Sequence, residues 1–299
     1  MPGVHGFIVR IFPALRALAF GAAPALALAA ALGVAAAQAP AVVPVGYQPS
    51  TADGAARRAL ELRAELPPSF TVVAAPPYVV VGDAEPEVVR AAAGVARATV
   101  RRMQALGFTA TTPHSLDLWV FPDRRRYRDG ARALLGEVPP TDRGYYLPRR
   151  HAVLVNLEAG FGAVAHEAAH PLIQASFPSC PVWLDEGLAS LEEHRLTPLE
   201  GTVTARLQRL QGRGRLRSIA ALTVASPAQF YDDPLRTTYG QAAHLLGFLE
   251  EEGLLRGYLG AIQREVLRDP TGYRTLADVV EAGGLGATEL AFASYLASR

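Results

Sequence analysis

Five consecutive residues constrain this chain more than any other stretch. His166-Glu167-Ala168-Ala169-His170 lies in a run whose flanks, Phe161-Gly162-Ala163-Val164-Ala165 before it and Leu172-Ile173 after it, are apolar enough for a buried helix. Residues four apart share one helix face, so the two imidazoles converge on a single point where a Zn²⁺ ion fits, and the carboxylate between them faces that point. Sixteen residues beyond His170 stands Glu186, on a second helix-like run from Trp183 to Glu193. Zinc in a catalytic site takes three protein ligands and keeps a fourth position for a water whose pKa it lowers. The pattern predicts one zinc per chain, with His166, His170 and Glu186 as ligands and Glu167 as the base that accepts the water's proton. Two satisfied histidines in a helix interface would be the plainer reading, but it leaves a buried helix to desolvate three polar groups without compensation.

The pair HEAAH and Trp183-Leu184-Asp185-Glu186-Gly187-Leu188-Ala189-Ser190 resembles the gluzincin zinc metallopeptidases, in which one helix carries HExxH and a following helix carries a glutamate ligand inside W-L-x-E-G-x-A. The resemblance covers about thirty residues and implies the same roles for His166, His170, Glu167 and Glu186. It also implies a zincin-like fold. The metzincin arrangement needs a glycine and a third histidine soon after the second one, and those places hold Ile173 and Ser176.

Pro171 follows the second histidine directly. It has no N–H for the carbonyl of Glu167 and its ring crowds that turn, so a kink is expected there, with the helix continuing beyond it. One turn after Glu186 stands Ser190 rather than a carboxylate, so what orients the imidazoles from behind is not apparent.

Composition adds exclusions. The 29 basic residues, all arginine, nearly balance 28 acidic ones, so there is no electrostatic case for nucleic acid or an acidic membrane surface. Residues 1–37 form a segment of their own, with Arg10 and Arg16 ahead of an apolar run from Ala17 to about Ala37 and small residues at Ala35 and Ala37. Export with cleavage before Gln38 is the expectation, and an uncut N-terminal membrane anchor over 17–37 is the alternative. The single cysteine, Cys180, permits no internal disulfide and is expected to be a buried, inert thiol rather than a fourth ligand.

A Pro- and Val-rich linker and a leading helix, Ala52 to Glu65 with Arg57, Arg58 and Arg63 on its exposed side, are expected over 38–69. Strand-like runs follow at Phe70 to Val73, Tyr78 to Val81 and Leu116 to Phe121. Helices are expected from Pro86 to about Leu106 and from about Asp123 to Leu135, the latter with a solvated face of Arg124, Arg125, Arg126 and Arg128. Gly144 to Leu147 and Ala152 to Asn156 read as a hairpin delivered onto the active-site helix. In zincin folds, the resemblance implies, an edge strand beside the metal binds the substrate backbone, and Ala152 to Asn156 is the segment expected there, with an ordinary paired strand as the equal alternative. After Glu186 the pattern is helical: Thr202 to Gln211, Ser218 to Leu222, Tyr239 to Glu251, Leu254 to Leu267, Leu276 to Glu281 and Thr288 to Ala297. The expected class is α+β, a mixed sheet-and-helix upper subdomain (70–177) over an all-helical lower one (178–299), with the metal in the cleft between.

Gluzincins place a Tyr or His donor, from a helix after the glutamate ligand, at the oxyanion of the reaction. Tyr239 is the first candidate for that catalytic role and His244 the second, with Tyr231, His151 and His194 behind them. The expectation is an exported zinc-dependent peptidase whose partner is a peptide or protein substrate. A zinc hydrolase acting on another amide or ester, and a zinc-binding envelope module without activity, are the alternatives.

Overall fold

The five expected strands assemble into one sheet. In this computed structural model, which describes residues 42–109, 111–197, 203–233, 236–280 and 284–299, the strands are β1 (Thr71–Ala75), β2 (Tyr78–Gly82), β3 (Leu116–Phe121), β4 (Gly144–Leu147) and β5 (Ala152–Asn156). The spatial order is β1-β2-β3-β5-β4. The inner pairs β2/β3 and β3/β5 are parallel, and the outer pairs β1/β2 and β4/β5 are antiparallel. The leader expected over 1–37, residues 38–41, and the helix ends at Thr202 and Glu281 lie outside the described residues.

Alternation along the strands explains the layers. Tyr78, Val80, Leu118, Val120, Val153 and Val155 face a core shared with α2 (Pro86–Ala105) and α4 (Phe161–Ser176). Their neighbours Val79, Val81, Trp119, Phe121, Ala152 and Leu154 face the opposite way, towards α1 (Ala52–Glu65) and α3 (Arg124–Leu135). Helix α1 is thus an outer layer of the sheet. The arginines of α3 form a solvated face, as expected: Arg124 and Arg128 pair with Asp142, Arg125 with Asp129 and Arg126 with Asp83.

Arg58 corrects one expectation. Arg57 and Arg63 are exposed, but Arg58 is only 1% exposed. Its Nε and Nη2 donate to the two carboxylate oxygens of Asp117 at 3.1 and 2.7 Å, and its remaining contacts are Glu61 and the Pro44 carbonyl. The physical reason is position: Arg58 falls between Ala55, Ala59 and Leu62 on the buried stripe, and a carboxylate from β3 meets it there.

From 182 onward the described residues contain helices and no strand: α5 (Val182–Leu196), α6 (Val203–Gly212), α7 (Ile219–Thr223), α8 (Pro227–Tyr231), α9 (Thr237–Glu251), α10 (Leu255–Glu265), α11 (Tyr273–Val279) and α12 (Gly284–Ala297). Their core is continuous with that under the sheet, running from Leu172 and Ile173 on α4 through Trp183 and Leu188 on α5 to Leu245 and Leu249 on α9. Gly187 lets α9 approach α5, since a Cβ there would stand 2.9 Å from Leu246 Cδ1 and 3.0 Å from Ala242 Cβ. The observed class is α+β. Among the described residues no helix is long and apolar enough to cross a membrane.

Candidate metal centre

Helix α4 continues through Pro171 to Ser176, as expected. Beside the turn the proline crowds, the Tyr78 hydroxyl reaches over from β2 and donates to the Ala168 carbonyl at 2.5 Å. The helix presents His166 and His170 together, with ring centroids 5.1 Å apart at 74°. Glu186 on α5 completes the group: its Oε2 lies 3.4 Å from His166 Nε2 and 4.0 Å from His170 Nε2. One donor atom from each of the three side chains falls within 4.8 Å of the others, and all three residues are buried. Donors around a tetrahedral ion at roughly 2.0–2.1 Å stand about 3.3 Å apart, so the group could hold a metal ion with little adjustment.

A second set of carboxylates stands behind the imidazoles. Asp185 Oδ1 is 2.8 Å from His170 Nδ1. Glu193 Oε2 is 3.2 Å from His166 Nδ1, close but not aligned as a hydrogen bond. Ser190, one turn after Glu186, is not the place to look, because the carboxylate comes from the next turn on the same face. Arg143 holds Glu193 from its other side.

The electrostatics favour positive charge at this point. Burial acts to lower the His166 pKa, yet Glu186 and Glu193 together raise it to about 10. Burial likewise acts to lower His170, and Asp185 raises it overall. Burial would raise Glu186 and Glu193, but their imidazole contacts hold each at about 2. A divalent cation between the three donors answers the same field.

Beside the donors opens a cavity of about 350 Å³, and Glu167 and Tyr239 both line it. Burial pushes the Glu167 carboxyl up, against the two histidines that lower it. Glu167 fits there because residue 144 is glycine: a Cβ would stand 2.8 Å from Glu167 Cγ and 2.7 Å from the Leu154 carbonyl oxygen. Gly144→Ala is therefore expected to displace Glu167 by part of an ångström. A crystal structure of that variant checks this.

The strand expected at the sheet edge is corrected here. Ala152–Asn156 pairs with β3 on one side and β4 on the other, so its backbone groups are engaged. The free edge belongs to β4, whose Gly144, Tyr145 and Tyr146 line the cavity. The returning strand of the hairpin inserts next to β3, which chain order does not reveal.

Tyr239 is half-buried, and its hydroxyl has no hydrogen-bond partner among the described residues. Burial, then the charge of Glu186, raises its pKa, so it stays a neutral donor. Tyr231 lies closer to the donor group than expected, donating to Glu186 Oε1 at 2.9 Å. It rides on α8, a helix the apolar pattern did not reveal. The signal was Ser226-Pro227-Ala228-Gln229: Ser226 and Gln229 form a capping box with proline at the first helical position. His244 is not at the site, its Nε2 lying 3.0 Å from Thr204 Oγ1 and its ring between His194 and Tyr295. His194 is half-buried, and that burial lowers its pKa to about 3. His151 stacks on His114, with Nδ1 3.1 Å from the Gly46 carbonyl oxygen. Cys180 is packed against the core, burial pushes its thiol up, and it contributes no donor to the group.

Comparison with protein-family models, with curated proteins and with solved structures finds no match for the chain.

Proposed function

We propose that this chain is a zinc-dependent peptidase of gluzincin type, with a zincin-like division into a sheet-bearing half above the cleft and a helical half below. One observation carries the reading. The two-histidine, one-carboxylate donor group lies at the wall of a cavity, with a second carboxylate, Glu167, lining that cavity instead of joining the group. A purely structural metal is normally enclosed by four protein ligands, whereas three ligands beside an open cavity suit catalysis. Two imidazole nitrogens and one carboxylate oxygen at this spacing suit zinc, one per chain.

When bound, zinc supplies Lewis acidity to a substrate carbonyl and lowers the pKa of water towards neutrality. Glu167 accepts the proton of the attacking water and passes it to the leaving amine, a task suited to a carboxylate whose pKa burial has raised. Asp185 fixes the orientation of His170, and Tyr231 that of Glu186. The free edge of β4 receives the substrate backbone by strand addition. Tyr239 donates to the oxygen that gains charge in the transition state. The leader-like residues 1–37 support export of the rest of the chain.

Tyr239→Phe is expected to lower kcat about 10²–10³-fold, with KM and zinc content nearly unchanged. Tyr231→Phe is expected to weaken zinc affinity about tenfold or more, because it frees a ligand. Kinetics and zinc titration of both variants separate the two tyrosines. The test of the function itself is mass spectrometry of an unstructured protein incubated with the purified chain. Cleavage that a chelator stops and zinc restores supports a peptidase, while intact polypeptide alongside a stoichiometrically zinc-loaded chain would move the activity to another amide or an ester.

A further inference from the structure

Two arginines line the cavity, and they differ in one respect. Arg143 is tied to Glu193, whereas Arg236 has no carboxylate partner among the described residues. Its guanidinium is instead laid over the face of Tyr239, 4.1 Å from the ring centroid, and the side chain is exposed. The backbone there is in the left-handed region, φ 52°, which a non-glycine residue adopts at a cost. Asp233 holds it: its carbonyl accepts from the Arg236 amide at 2.9 Å, and its carboxylate accepts from the Thr238 amide and the Thr237 hydroxyl at 2.8 and 2.6 Å. An aromatic face leaves the outward N–H groups of a guanidinium free to bind, and a planar fork of donors matches a carboxylate.

We infer that Arg236 binds a carboxylate of the substrate, so that the preferred substrate is a peptide carrying an anionic group within a few residues of the scissile bond. The inference rests on the peptidase reading above. The span follows from the stacking: Tyr239 lies 6.3 Å from Tyr231, ring to ring, and Tyr231 bonds Glu186, which keeps Arg236 within reach of a short extended peptide at about 3.3–3.6 Å per residue. The carboxylate is either a free C-terminus or an acidic side chain, and these are told apart by experiment.

The experiment measures binding to the zinc-loaded Glu167→Gln chain, so that turnover does not intervene. The first pair of probes is N-acetyl-tetra-alanine as acid and as amide. The second is an N-acetylated, C-terminally amidated tetra-alanine with its third residue changed to Glu or to Gln. Binding about tenfold or more tighter for the charged member of one pair is expected, and that pair names the source of the carboxylate. Adding Arg236→Gln should bring the ratio near one, while Arg236→Lys keeps part of it; zinc content and circular dichroism confirm that both variants are folded. Equal binding within both pairs overturns the inference, as does a charged preference that survives Arg236→Gln. If the wild-type chain cleaves both members of each pair equally well, the role of Arg236 fails alone. Failure to cleave any peptide, with the Arg236-dependent preference intact, instead sinks the peptidase reading.

Discussion

Glu167→Gln is expected to keep the zinc and the fold while lowering kcat by about 10²–10⁴-fold, the range for removal of a general base. Glutamine preserves the shape that fits under Gly144, where even one added carbon would collide, so the substitution removes proton acceptance and little else. The substitution should not destabilise the fold, because burial penalises the charged carboxylate that it removes. Equal zinc in the two proteins with unchanged hydrolysis, on any substrate the wild type cleaves, would rule out the mechanism.

The largest effect on stability is expected far from the cleft. Arg58→Ala leaves the charge of Asp117 buried without its bidentate partner, and breaking such a pair costs about 3–5 kcal/mol. For a chain of this size that corresponds to a fall in melting temperature on the order of 10 °C. Arg57→Ala, at an exposed neighbour, should stay within about 0.5 kcal/mol. Replacing both members, Arg58→Met with Asp117→Leu, should recover most of the loss, since the cost lies in the orphaned charge. Thermal unfolding of the four proteins checks all three statements.

What could be read from the sequence was what neighbours in the chain decide. The spacing of His166, Glu167 and His170 is a property of one helix turn, so their convergence followed from periodicity. Glu186 was recognised through the motif around it, and Asp185 stood beside it unassigned. The strands and most helices emerged because their apolar patterns are local. The rest depends on encounters between distant segments. Nothing around Arg58 announces Asp117, and nothing around Glu193 shows that its second-turn position faces His166 with Arg143 at its back. Order within a sheet is likewise a tertiary fact, and nothing in the chain order says that β4 rather than β5 lies at the edge. Tyr231 belongs to another class: the capping signal before α8 is legible in the sequence, but the helix is too short to show hydrophobic periodicity.

The proposed mechanism requires His166, His170 and Glu186 to hold one zinc ion. The direct test is metal analysis by inductively coupled plasma mass spectrometry on the purified chain and on single Ala variants at the three positions, with the triple variant alongside. About one zinc per wild-type chain is expected, with large losses in each single variant and none bound in a folded triple variant. Stoichiometric zinc in the triple variant, or a wild-type chain that takes up no metal from zinc-containing buffer, would contradict it.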